Sequence, residues 1–166
     1  MFAVGPYTMA EWKVVWREQT SFFQAAIIGT QDNKPVIPDH KLMAVACAEK
    51  DEAFYLTALL NSSPSVLAIA SFIISTSTSV YVLENIRIPR FSLDNPLHML
   101  LAHQSMRAHE LTAEGNTAAV AVCEAEIDRL AARLWEITDD ELTAIQAALQ
   151  QVIAPDEVEA EEEDEE

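Results

Sequence analysis

The hydrophobic period of this chain changes once, at Glu49, and that change fixes the class of fold open to it. Before Glu49 the apolar runs are short and rich in aromatic and β-branched residues. They are Trp12-Lys13-Val14-Val15-Trp16-Arg17, Gln24 to Ile28 (ended by Gly29), and Lys41 to Cys47, with Gln31-Asp32-Asn33-Lys34-Pro35 as a turn by composition. After Glu49 the spacing is helical. Ala53, Leu56, Leu59 and Leu60 share one helix face, and Asn61 is the stop. Ser63-Pro64 reopens a helix with serine as cap and proline at its first position. Val66, Leu67, Ile69, Ala70, Phe72 and Ile73 make that helix apolar nearly all round, which predicts burial.

A polar hinge follows at Ser75 to Ser79, then Val80 to Asn85, then Ile86-Arg87-Ile88-Pro89-Arg90-Phe91, where alternation turns Arg87 away from the apolar side. Asp94-Asn95-Pro96 opens a helix over 97–111 that stops near Gly115. Thr117 to Trp135 is a long alanine-rich helix, and the pair reads as an antiparallel hairpin. Thr138 with Glu141 forms a capping box for a last helix to about Val152. The expected fold is α+β: a small N-terminal β region, buried helices, an α-helical hairpin and a C-terminal helix. By segment this gives an α+β region at 1–94, the hairpin and final helix at 95–152, and a disordered acidic tail at 153–166.

The net charge is −17, but its placement is uneven. Nine of the 27 acidic residues follow Pro155, in a run that repels itself and has almost nothing to bury. From Met1 to Glu110 there are 10 acidic and 8 basic residues, so that part of the chain is nearly balanced and open to contact with phosphate. The longest apolar run, Val66 to Ile74, is too short to span a bilayer, and the N-terminus lacks a basic region followed by an apolar block. The expectation is a cytoplasmic protein without a membrane segment. Cys47 and Cys123 match no zinc or redox spacing and read as buried, reduced thiols.

No catalytic residue is assigned. Three glycines, Gly5, Gly29 and Gly115, are too scattered for a cofactor loop, and no Lys-Ser or Lys-Thr pair exists for a P-loop. His98, His103 and His109 fall five and six apart, around the helix cylinder, and read as surface or interface histidines, with no metal site expected. Asp94-Asn95-Pro96-Leu97 lacks the second proline and the aromatic that adenine N6 methylation needs, and a helix cap explains it.

Several segments nonetheless form a pattern. Trp12 to Arg17, Lys34-Pro35-Val36-Ile37-Pro38-Asp39-His40-Lys41-Leu42 and Tyr55-Leu56-Thr57-Ala58-Leu59-Leu60-Asn61-Ser62-Ser63-Pro64 belong to it. So do Ser77 to Phe91, Asn95-Pro96-Leu97-His98, and Leu134-Trp135-Glu136-Ile137-Thr138-Asp139-Asp140-Glu141-Leu142. Together they resemble the C-terminal target-recognition region of class I-type N6-adenine-specific DNA methyltransferases, the methylases of restriction-modification and phage-defence systems. The resemblance runs from about Tyr7 to Leu149. It implies a DNA-recognition fragment or subunit whose partners are duplex DNA and a catalytic methyltransferase domain or subunit. The cofactor S-adenosylmethionine (AdoMet) would be held by that catalytic part and not by this chain.

For such a role the candidate nucleic-acid-binding residues are Lys13, Trp16, Arg17, Lys34, His40, Lys41, Arg87 and Arg90. The cations offer phosphate contacts, and Trp16 offers a stacking ring. Each taken singly is also read as an ordinary surface charge or, for Trp16, a core residue. The alternative reading is a non-enzymatic interaction or assembly subunit of a defence complex, docking through the hairpin, or a degraded gene remnant.

Overall fold

The computed structural model describes residues 5–72 and 86–163, with side chains described for 5–71 and 86–152. The fold is α+β. Among the described residues a short 3₁₀ helix (Pro6–Met9) leads into five short strands: β1 (Trp12–Arg17), β2 (Ala25–Ile28), β3 (Thr30–Gln31), β4 (Lys34–Pro35) and β5 (Leu42–Cys47). The α-helices that follow among the described residues are α1 (Lys50–Asn61), α2 (Ser63–Phe72), α3 (Pro96–Ala113), α4 (Thr117–Leu134) and α5 (Asp139–Glu163).

β1 is the centre of an antiparallel sheet of order β2-β1-β5, with Val14 opposite both Ile27 and Val45. The alternation of β1 decides which face is which. Val14 and Trp16 point with Ala25 and Cys47 into a core completed by Ala53 and Leu60 of α1 and Ile69 of α2. Gly29 packs closely beside it: a Cβ there would lie 3.0 Å from the Trp12 ring, which would have to shift by a few tenths of an ångström. The turn expected at 31–35 is a tight hairpin in which β3 pairs with β4 around Asp32 and Asn33, both at positive φ (51° and 57°). Those are the dihedrals that a two-residue turn matching the strand twist demands, and Asp and Asn tolerate them best after glycine.

The helices build a second core. Phe54, Tyr55, Ala58 and Leu59 of α1 pack against Leu101 and Ala102 of α3 and Ile127, Leu130 and Ala131 of α4, while Ile27 and Ile88 pack on both clusters. α1 therefore presents Ala53 and Leu60 to the sheet and the opposite side to the α3–α4 hairpin. The hairpin turn is closed by Gly115 (φ 73°), with Asn116 N donating to Leu111 O at 2.9 Å and Gly115 N to Thr112 O at 3.0 Å. α4 ends in the same way, with Ile137 N on Ala132 O, but the left-handed residue there is Glu136 (φ 57°). The Thr138–Glu141 capping box is formed in both directions.

Three expectations are corrected. α2 is not buried all round: Val66 and Ile69 are buried, while Leu67, Ala68 and Ala70 are half-buried and line a shallow groove against Ile145 and Val152 of α5. The last helix does not stop at Val152 but runs to Glu163, into the segment expected to be a disordered tail. Alanine and glutamate favour helix, and each added turn satisfies backbone groups locally. His98 is buried and not on the surface. The expected hinge at Ser75 to Ser79 and the short helical or extended piece Val80 to Asn85 lie outside the described residues.

Among the described residues, one buried side-chain polar atom has no hydrogen-bond partner, Thr57 Oγ1 on α1. Thr57→Val keeps the shape and removes the desolvated hydroxyl, so it should raise stability by about 1 kcal/mol. In a thermal melt that is a Tm increase of roughly 2–4 °C. A lower Tm would mean that the hydroxyl has a partner.

Candidate nucleic-acid interface

The cations expected to meet DNA fall into three places. The first is one end of the main sheet. Arg17 ends β1 opposite Leu42, and Glu18 N donates to Lys41 O at 2.9 Å, which brings Arg17 and Lys41 to the same sheet end. His40 lies next to them with Nδ1 against the Asp39 carboxylate, and Leu42 N donates to Asp39 O at 3.0 Å. Hydrogen bonding from the His40 backbone lowers the Asp39 pKa, and the His40 ring charge and the Lys41 backbone act in the same direction. Arg17, His40 and Lys41 are all exposed.

The second place is the β3–β4 hairpin. β2 runs antiparallel to β1 and ends opposite Lys13, so Lys34 emerges from the end of the sheet away from Arg17, roughly 13 Å of strand further along. The third is the strap 86–95. Ile86 and Ile88 pack inward while Arg87 and Arg90 are exposed, which is the alternation expected of that segment. The strap is pinned at three points: Trp135 Nε1 donates to Arg87 O at 2.9 Å, Tyr55 Oη to Pro89 O at 2.9 Å, and Ser92 N to His98 Nδ1 at 3.1 Å.

Two candidates leave the surface. Lys13 and Trp16 are each only 1 % exposed. Trp16 faces α1 and tilts against Phe23 with ring centroids 6.0 Å apart, so no base can stack on it in this fold. Lys13 points to the other face of the sheet, where its ammonium donates to Ala10 O and Val36 O, and burial lowers its pKa. Neither side chain reaches a phosphate.

The polar residues of Asn61-Ser62-Ser63 are also taken up internally. Asn61 spans the backbone of Ala25, accepting from its N–H at 2.7 Å and donating to its carbonyl at 2.9 Å. Ser62 Oγ donates to Leu59 O at 2.7 Å. Ser63 donates its N–H and its hydroxyl to the two carboxylate oxygens of Asp128 on α4, at 2.7 and 2.6 Å, and Gln146 of α5 adds a third bond at 2.8 Å. The sequence alone does not reveal the roles of Asp128 and His98, whose partners in α2 and the strap become visible only when the helices pack. Asn95 is the cap that the sequence suggests, accepting from Leu97 N at 2.9 Å.

The remaining chemistry is sparse among the described residues. No three His, Cys, Asp or Glu side chains gather as metal ligands. Cys47 and Cys123 are free and buried, and burial pushes the Cys47 thiol up to about 12. Among the described residues no single helix is long and apolar enough to cross a membrane, and α1 with α2, which are apolar enough together, are bent by 63°.

The described residues form shallow grooves, among them one of about 360 Å³ between α2 and α5 and one of about 400 Å³ between α3 and α4. Neither fits AdoMet. In the first, the one hydroxyl, Ser71 Oγ, is turned back onto Ala68 O at 2.6 Å. In the second, Glu126 and Arg129 are paired with each other at 2.6 Å. No family model, curated protein or solved structure matches this chain.

His98 gives the strap a pH dependence. Burial lowers its pKa below the ordinary 6.5, and Nδ1 must stay unprotonated to accept from Ser92 N. As the pH falls, the unfolded chain takes up the proton first. The His98 contribution is therefore complete above pH 6.5, shrinks as the pH drops below 6.5, and levels off below the folded-state value. His98→Phe keeps the ring packing against Tyr55 and should remove this step from a series of urea unfolding curves across pH. A variant that kept the step would assign it to another group.

Asp128 is tested in the same assay. Asp128→Ala should cost about 3 kcal/mol in urea unfolding, since it leaves the Ser63 N–H and hydroxyl without their acceptor. A loss below about 0.5 kcal/mol would mean that water replaces the carboxylate.

Proposed function

We propose that the chain is the DNA-recognition part of an adenine-specific DNA methyltransferase, working beside a catalytic domain or subunit that binds AdoMet. The observation that carries this reading is the placement of Arg87 and Arg90. Both are exposed on a strap whose backbone is fixed by Trp135, Tyr55 and His98. Cations on fixed backbone lose less freedom on meeting phosphate than cations on a free loop. Arg17, His40 and Lys41 at the sheet end provide further contacts, and Lys34 extends the surface at the hairpin. The segment resemblance supplies the methyltransferase class. In this reading the cations contact phosphate, and polar backbone or side-chain groups nearby read base edges.

The test is binding of a fluorescent duplex by the full chain at several salt concentrations. The expected result is affinity that falls steeply between about 50 and 200 mM salt. Replacing both Arg87 and Arg90 by alanine should lower the log–log salt slope by roughly 2, because each arginine that meets a phosphate releases about one counterion. Both side chains are exposed, so the circular dichroism spectrum should not change. Absent binding, or affinity independent of salt, would overturn the reading.

A second reading, an interaction subunit, draws on the outer face of the α3–α4 hairpin. There Leu100 is exposed and Val122 is 70 % exposed beside Ala121 and Ala125. A strictly monomeric chain in light scattering that also binds DNA would set this reading aside.

A further inference from the structure

We infer that Lys13, buried beneath the sheet, is a positioning residue that holds the Val36–Lys41 segment in place for DNA contact. The inference rests on the DNA-recognition reading above. It starts from a cost. A buried ammonium loses its water, and an apolar side chain of the same length would fill the slot without that loss. Lys13 is 1 % exposed in the middle of the sheet. What the ammonium gains is directional bonding to two separate pieces of chain: Ala10 O, just before β1, and Val36 O, just after the hairpin that carries Lys34.

The segment so held has no regular secondary structure between β4 and β5. Ile37 on it is exposed at 60 %, so apolar burial of that side chain does not anchor the segment. Polar anchors hold it at both ends. Lys13 grips the carbonyl of Val36, and Glu18 N grips the carbonyl of Lys41. Between these points sit His40 and Lys41, and immediately before them comes Lys34. Lys13 thus ties down the end of the segment that follows Lys34, while His40 and Lys41 lie at its other end, and it touches none of the DNA itself. Loss of the Val36 bond frees one end of the segment while leaving every one of those cations present.

The experiment compares wild type, Lys13→Met and Val15→Ala. Met matches the length of Lys and removes the donors. Val15 is buried on the same sheet face, so Val15→Ala controls for general loosening of β1. Amide hydrogen exchange over 36–41 and duplex binding are read for each. The expected result is faster exchange at 36–41 in Lys13→Met, affinity for duplex DNA about tenfold weaker, and a salt slope lower by roughly 1 to 2. Val15→Ala should leave both the segment's exchange relative to β1 and the salt slope at wild-type values.

Unchanged exchange in Lys13→Met would overturn the inference, and so would faster exchange with undiminished DNA affinity. Wild type supplies a test that needs no variant. The Lys13 ammonium protons, held by Ala10 O and Val36 O, should exchange slowly enough to be observed by NMR, and an ammonium in fast exchange with water would refute the tie. If wild type binds no DNA, the recognition reading itself fails and the positioning role falls with it. The exchange data then still decide whether Lys13 holds the segment.

Discussion

The helical half of this fold depends on one carboxylate. Asp128 is 8 % exposed on α4, and its two oxygens take three hydrogen bonds, two from Ser63 at the start of α2 and one from Gln146 on α5. The first turn of a helix has N–H groups without partners, and a carboxylate placed there satisfies them and complements the helix dipole. Here the cap comes from a different helix, so one interaction both starts α2 and fixes where α4 and α5 lie against it. α2 in turn sends Ile69 into the core under the sheet. The charge also acts on its own helix: burial, and then Asp128, raise the pKa of Glu124 one turn earlier.

Local patterns are legible in the sequence and distant partners are not. The bounds of β1, the helical switch after Glu49, the proline-opened start of α3 and the Thr138–Glu141 box all follow from residues within a few positions of each other. Asp128 and Ser63 are far apart in sequence, and nothing local marks one as the cap of the other. His98 shows the same limit. Its spacing to His103 and His109 describes the helix cylinder but not the strap that covers it. For α2, composition overstates burial, because it tells how apolar a helix is and not how many neighbours it has.

The candidate interface divides in the same way. Alternation along β1 separates Val14 and Trp16 from Lys13 and Arg17, but it cannot say that both faces are covered. The Val36–Lys41 segment crosses the second face, and so Lys13 is buried while Arg17, at the strand end, is not. Trp16 would be open to a ligand only if its face were the uncovered one. Arg87 is more legible, because Ile86 and Ile88 flank it and leave it one direction to point. The exposed cations are those whose surroundings are set by immediate neighbours.

Asn61 has a consequence that reaches beyond the single chain. Among the described residues β2 lies at one end of the order β2-β1-β5, and a strand in that position offers N–H and C=O groups to any strand that comes alongside. At Ala25 both groups are already taken by the Asn61 side chain, which imitates the bonds of a neighbouring strand while lacking a backbone to extend them. A strand drawn up along β2 would find both of these bonds already made. The amide that closes α1 onto the sheet therefore also removes one pairing position from β2.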